Sequence, residues 1–309
     1  MRILITSAGT ATSVNLIRYF HKAGDYVVSV DINPFGYTAG SMLADKFYQV
    51  PLAVDEAFVP EMINIIRENE IDIFIPINDI EVYKISCEIE KIPCKCMIPD
   101  RQTIELLRDK YLCSKKMEEL GIPVPEIMPE YRSEKRILRD RIGVGSKGIK
   151  ILSAQDATPQ YREEDAFLQK FVEGEEYTVD VLADGDGQPV YIVPRARLEV
   201  KSGVATKVRI EKDDALTAYV RKILQNVTLP GFSNIQFIKD ANGTYWFVEV
   251  NYRFAGCGAA TLAACDSYLS QFKRIASGEK GSGDLNTDVR WNAIVTRYYE
   301  EMIYEEGIY

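Results

Sequence analysis

Residues 233–254 read SNIQFIKDANGTYWFVEVNYRF, and the rest of the chain can be placed around them. Two apolar runs flank Asn242-Gly243, a dipeptide that favours a two-residue hairpin turn because both positions tolerate positive φ. With those residues as the turn, Ala241 pairs with Thr244, Phe237 with Val248, Gln236 with Glu249, Ile235 with Val250 and Asn234 with Asn251. The second strand alternates. Trp246, Val248, Val250, Tyr252 and Phe254 form an apolar face, and Phe247, Glu249, Asn251 and Arg253 form the other.

That second face has two readings. It is a solvated outer surface, although Phe247 and Ile238 would suit water poorly, or it holds a ligand. Glu249, Asn251 and Gln236 supply a carboxylate and two amide carbonyls within reach of one point, which is the donor set of a hard divalent cation. Arg253 at the mouth of the same face suits a phosphate or carboxylate as a bidentate donor.

The chain has 309 residues, long enough for two domains, with 46% apolar and 27% charged residues, the balance of a globular protein with a sizeable core. Acidic residues outnumber basic ones, 46 to 37, for a net charge of −9, which argues against a nucleic-acid partner. Six cysteines are too sparse for a disulfide scaffold, and Cys94 and Cys96 read as thiols because the single histidine, His21, lies far from them. No apolar run approaches the roughly 20 residues needed to span a bilayer, so the expectation is a cytoplasmic protein without a membrane partner.

The first hundred residues alternate strand and helix: RILITSAG, TATSVNLIRYFHKAG, YVVSVDINP, FVPEMINIIRENE, IDIFIPIND. Such alternation predicts a parallel, doubly wound sheet. The turn SAGTATS, with Asp31 ending the second strand, invites a dinucleotide reading. However, that fingerprint needs three glycines and only Gly9 is present. Two helices follow in residues 101–121, then an α+β half of short strands. GVGSKG (143–148) exposes backbone N–H groups suited to phosphates, and LQKFVEGEEYTVD (168–180) could offer backbone groups to a purine edge at Lys170 and Val172, with Glu176 near a ribose. Taken alone, each is equally a common turn or an acidic hairpin.

Together these segments resemble the ATP-grasp superfamily, and within it the relatives of the carbamoyl phosphate synthase large subunit and other carboxylate–amine ligases. The likeness covers nearly the whole chain. It implies a mixed α/β and α+β fold: a Rossmann-like pre-ATP-grasp domain (1–103), then an ATP-grasp domain (104–309) with a small lid at roughly 113–171. It further implies ATP as substrate with Mg²⁺ or Mn²⁺ on Gln236, Glu249 and Asn251. The nucleotide would meet Lys110, Arg139, Ser146, Gln169, Lys170, Val172 and Glu176. Arg253 would steady the transferring phosphate, and Arg197 and Lys207, with Arg195, would face the acyl phosphate or acceptor. One departure stands out: Arg139 and Asp140 occupy the positions of a Lys-Pro pair in relatives.

The resemblance implies a ligase that makes an acyl phosphate from a small carboxylate and passes it to an amine. Tyr37, Asn78 and Asp79 are candidates for acceptor contacts or for structural loop positions. A homodimer is left open. Two further readings remain: a catalytically degenerate ATP-binding module, and a nicotinamide-dependent enzyme built on the first domain.

Overall fold

The computed structural model of the chain describes residues 1–128, 134–143, 148–201, 203–281 and 286–306. The first unit runs β1 (Arg2–Ile5), α1 (Ala11–Lys22), β2 (Tyr26–Asp31), α2 (Ala39–Leu43), β3 (Lys46–Gln49), α3 (Phe58–Glu68), β4 (Ile73–Ile75), α4 (Asp79–Ser86) and β5 (Lys95–Cys96). Its five strands are parallel in the order β3-β2-β1-β4-β5, with the switch point between β1 and β4. The expected alternation is present, but β3 and α2 escape the sequence pattern: KFYQ is short and half-exposed.

Helices α5 (Arg101–Arg108) and α6 (Lys110–Glu119) lead into an antiparallel four-stranded lid, β6 (Ile127–Met128), β7 (Arg136–Asp140), β8 (Ile149–Leu152) and β9 (Ala166–Lys170), ordered β6-β9-β7-β8. The remainder forms a larger sheet from β10 (Glu175–Ala183), β11 (Pro189–Lys201), β12 (Val204–Ile210), β13 (Gly231–Lys239), β14 (Tyr245–Asn251) and β15 (Ile294–Thr296). These strands are ordered β14-β13-β10-β11-β12-β15, with α7 (Asp214–Leu224), α8 (Ala259–Ala264) and α9 (Tyr268–Ala276) packed on the sheet. One apolar cluster runs from Ile3 and Ile5 of β1 through Phe20 of α1 and Phe272 of α9 to Val208 of β12, so the first unit and the large sheet share a core.

The β13–β14 hairpin departs from its sequence reading twice, and the departures cancel where it matters. The turn has three residues, Ala241 to Gly243, closed by Asp240 N–H donating to Thr244 O at 3.0 Å. Asp240 Oδ1 accepts from Asn242 N and Thr244 N, both at 2.9 Å, a side-chain turn that competes with the two-residue alternative. Only Gly243 takes positive φ, at 84°. The longer turn shifts the register by one, so Phe237 faces Phe247, not Val248. A β-bulge at Val248 then restores the expected pairs Gln236–Glu249, Ile235–Val250 and Asn234–Asn251.

The bulge also corrects the apolar face. Before it, Tyr245 and Phe247 face the core; after it, Val250 and Tyr252 do. Phe247 is 1% exposed against Phe237, while Trp246, expected in the core, lies half-buried and donates Nε1–H to Asp240 Oδ2 at 2.9 Å. An extra residue changes the parity of a strand, and a strictly alternating reading cannot carry that change.

Because Gly243 alone is left-handed and a Cβ there meets nothing within 4 Å, Gly243→Ala should cost about 1–2 kcal/mol of stability, from backbone strain only. Asn242→Ala should stay within about 0.5 kcal/mol, whereas a two-residue turn would make both positions sensitive. Urea denaturation of the two variants distinguishes the turns.

Candidate active site

Across the large sheet, direct pairing places Arg195, Thr178, Gln236 and Glu249 in one row over four strands, with Asp180, Asn234 and Asn251 in the next. Gln236 Nε2 donates to Glu249 Oε1 at 3.0 Å, and Asn251 Nδ2 donates to the same oxygen at 3.1 Å. Asn251 Nδ2 also reaches Asn234 Oδ1 at 3.2 Å. The two amides assigned to the cation therefore converge on one oxygen of the third side chain, Glu249. Turning each amide about its last torsion presents oxygen in place of nitrogen. One carboxylate and two amides carry a single negative charge, which suits an ion whose remaining donors are phosphate oxygens and water.

The other oxygen of Glu249 faces the lid. Arg139 Nη2 lies 3.9 Å from Glu249 Oε2, and both terminal nitrogens of Arg139 approach Val248 O, at 3.4 and 3.3 Å. Val248 is the bulged residue. Arg139 Nη1 also donates to Gln169 Oε1 at 3.1 Å, and Gln169, itself buried, donates Nε2–H to Pro125 O at 2.9 Å. The expected nucleotide residues Arg139 and Gln169 are thus joined to each other and to the main sheet. Burial pushes the Arg139 guanidinium below its ordinary pKa, and the charge on Glu249 opposes that shift.

Lys110 opens α6. Its Nζ donates to Gly143 O at 2.8 Å, at the first residue of the glycine-rich segment, and its backbone N donates to Arg141 O at 2.8 Å. Asp109 makes this possible by capping α6 through Tyr111 N and Leu112 N while binding the Arg141 guanidinium with both oxygens. Burial lowers the Lys110 pKa, and Glu249 is the leading opposing charge. Arg253, past the end of β14, meets Asp79 across 174 residues of sequence: Nε donates to Oδ1 at 2.9 Å and Nη2 to Oδ2 at 3.0 Å. Burial works against the charge on Arg253, but the Asp79 carboxylate, with Glu249 adding to it, raises its pKa.

A cleft of about 230 Å³ gathers Lys110, Glu249, Asn251 and Asp79 on its walls, with Gly143 and Tyr252. A second hollow includes Glu176 and Arg197, which form an ion pair; Arg197 Nη2 also donates to Gly203 O at 2.7 Å. Lys207 pairs with Glu199 at 3.5 Å. Lys170 donates its backbone N–H to Glu126 O at 2.8 Å and extends its side chain toward Glu134, and Val172 is half-buried between β9 and β10. Ser146 lies outside the described residues.

Arg195 is held inside the protein. Its strand position is in the row of the site, but it is 2% exposed and committed to Asp180 at 2.8 and 3.0 Å, with Thr261 of α8 donating to the same carboxylate. Asp31 is likewise occupied. It accepts from Gly9 N at 2.7 Å and from Asn33 N and Nδ2 at 3.0 and 2.8 Å, which organises the turn and leaves little for a ribose.

The order of the sheets, the lid and this cleft define an ATP-grasp protein. Residues 107–257 match the family model described as ATP-grasp domain, and residues 3–96 match that described as PylC-like, N-terminal domain. Residues 107–257 are therefore an ATP-grasp domain, preceded by a PylC-like N-terminal domain. It is 25% identical over 281 residues to the carbamoyl-phosphate synthase of Methanobrevibacter smithii, covering 81% of this chain and 74% of that protein. It is 23% identical over 260 residues to the carbamoyl phosphate synthase large chain of Clostridium acetobutylicum, covering 75% of this chain but only 24% of the relative. In fold it resembles the biotin carboxylase domain of Hydrogenobacter thermophilus 2-oxoglutarate carboxylase, solved with MgADP, ADP and bicarbonate. That likeness has a TM-score of 0.74 and 17% identity over 95% of this chain and 73% of the other.

Arg139 gives a stability test of the lid-to-sheet junction. Arg139→Met strands Val248 O and Gln169 Oε1 without their donor, and should lower stability by about 2–3 kcal/mol in chemical denaturation. Arg139→Lys should recover less than half of that loss, because an ammonium lacks the planar fork that spans both acceptors.

Proposed function

We propose that this chain is an ATP- and Mg²⁺-dependent ligase that activates a small carboxylate as an acyl phosphate for attack by an amine. The observation that carries the reading is the convergence of Gln236 and Asn251 on Glu249, in a cleft that also holds Lys110. In this reading Glu249, Asn251 and Gln236 hold the divalent ion, which supplies charge neutralisation to the nucleotide phosphates when bound.

The chain's own groups do the rest. A carboxylate oxygen attacks the γ-phosphorus, the bond to the β-phosphate oxygen breaks, and ADP departs. Lys110 and Arg253 offset the charge on the transferred group. The amine then attacks the acyl carbon, phosphate leaves, and the nitrogen loses a proton. The acyl phosphate must be kept from water, and the lid is placed for that, tied to the main sheet through Arg139, Val248 O and Gln169.

Bicarbonate, present with ADP in the structural neighbour, is the first carboxylate to try. That neighbour is described as a dimer, and a homodimer of this chain belongs to the same proposal. Among the described residues no helix is long and apolar enough to cross a membrane, and six unpaired cysteines support a reducing, cytoplasmic compartment.

One observation keeps a second reading open. Arg139 already has protein acceptors, as a lid that grips nucleotide weakly would, so a degenerate ATP-binding module is the alternative. Thermal melting with ATP, with and without Mg²⁺, tests the binding reading; a ligand at 100 times its dissociation constant adds about 2.7 kcal/mol. The wild type should be stabilised, and Glu249→Ala with Asn251→Ala should lose the Mg²⁺-dependent part. Phosphate release that requires both a carboxylate and an amine establishes the ligase; stabilisation without any such release leaves the module.

A further inference from the structure

Asp79 lies far from β14 in sequence, yet it is the residue that grips Arg253. It is the first residue of α4, and its backbone is held by an unusually complete cap. Asn78 Oδ1 accepts from Ile80 N at 2.9 Å, and Glu81 reaches back to Asn78 N at 3.0 Å. Glu81 is itself pinned: Thr6 and Ser7 at the end of β1 donate their hydroxyls to it, and Ile77 N adds a longer contact of 3.3 Å. The switch point between β1 and β4 is therefore stapled together by one carboxylate, and Asp79 projects from that staple.

A guanidinium has five N–H bonds. In Arg253, one on Nε and one on Nη2 go to Asp79, and one on Nη1 makes a long 3.4 Å contact to Phe254 O. Among the described residues the other two N–H bonds, one on each terminal nitrogen, meet no acceptor, and they leave the Nη1/Nη2 end of the group as its free edge. A bidentate contact fixes the plane of the guanidinium and hence the direction of this free edge, which a single-point contact would leave rotating. Asp79 and Arg253 retain 19% and 20% of their side-chain exposure, and Asp79 lines the cleft that holds Lys110, Glu249 and Asn251. A purely structural ion pair has no need of either property; Arg195 and Asp180, at 2% and 5%, show what one looks like in this chain.

We infer that Asp79 is a positioning residue: from the switch point of the first sheet it orients Arg253 so that the free guanidinium edge meets the transferring phosphoryl group. This rests on the ligase reading for the presence of a nucleotide, and goes beyond it in making the first unit part of the phosphoryl-transfer machinery. Occupancy of the crevice between β1 and β4 would then act on transfer through one ion pair.

The test is phosphorus NMR of the Mg²⁺ complex of the β,γ-imido analogue of ATP bound to the full chain. Arg253→Met should move the γ-phosphorus signal and leave the α signal in place. Asp79→Asn, which keeps the size but loses the charge and the bidentate grip, should move the γ signal in the same direction. Asp79→Glu should bring it part of the way back, and Asp79→Asn with Arg253→Met should move it no further than Arg253→Met alone. A γ signal unchanged in Asp79→Asn, or an additive double variant, overturns the proposal, as does a lowered melting temperature as the sole effect. If Asp79→Asn does not fold, Asp79→Glu decides: a γ signal intermediate between wild type and Arg253→Met supports the inference, and one identical to wild type overturns it. A wild type showing only free-nucleotide signals defeats the ligase reading first and this inference with it.

Discussion

Val248 is the residue on which the geometry of the cleft depends, because it is the position in β14 that has no opposite number on β13. Were Val248 paired in regular alternation, the three-residue turn would leave the strand one out of register, and Glu249 and Asn251 would point into the core that Phe247 and Val250 fill. A bulge also frees a carbonyl from the ladder, and a freed carbonyl near the interior needs a donor. Arg139 is that donor. One inserted residue therefore aims the carboxylate at the ligand face and gives the lid a fixed point on the main sheet.

The charges around the cleft follow from this arrangement. Lys110, Arg139 and Arg253 all feel the charge of Glu249, and Asp79, on the cleft wall, pairs with Arg253. Burial lowers the pKa of Lys110 and Arg139, and in both cases Glu249 is the leading opposing charge. A cluster with more cations than anions in partly desolvated surroundings is costly by itself and favourable for a polyphosphate. The chain as a whole carries −9, so the affinity for an anion has to be local, and the clustering supplies it.

The parts of this architecture visible in sequence were those carried by local pattern. The βαβ alternation needs only apolar periodicity, whereas the Gln236–Glu249 pairing matches its sequence reading because the longer turn and the bulge at Val248 offset each other. The turn length was not legible, because Asp240 competes with Asn242-Gly243 through its side chain, and Val248 differs in no way from a regular strand residue. Long-range partners were equally hidden. Asp79 looked like one loop carboxylate among several, and nothing local distinguishes it from Asp180, which buries Arg195 instead. What signal there was lay in the Asn78–Glu81 spacing of a capping box, which marks a rigid helix start without saying what it faces.

Position 139 holds an arginine where the family resemblance implies a lysine, and the structure bears on what that costs. An ammonium makes point contacts, whereas the guanidinium of Arg139 spans a main-chain carbonyl and an amide oxygen at once. Both acceptors are neutral. A phosphate oxygen competing for the same fork would give the guanidinium an anionic, bidentate partner where it now meets neutral oxygens, so both sides of the contact would be charged. The exchange therefore favours nucleotide over the resting contacts, provided the lid can give up its hold on Val248 O. In the ligase reading the substitution then changes how the lid is latched before nucleotide arrives more than how tightly the nucleotide is held afterwards, and a protein with this arginine has no physical reason to be inert.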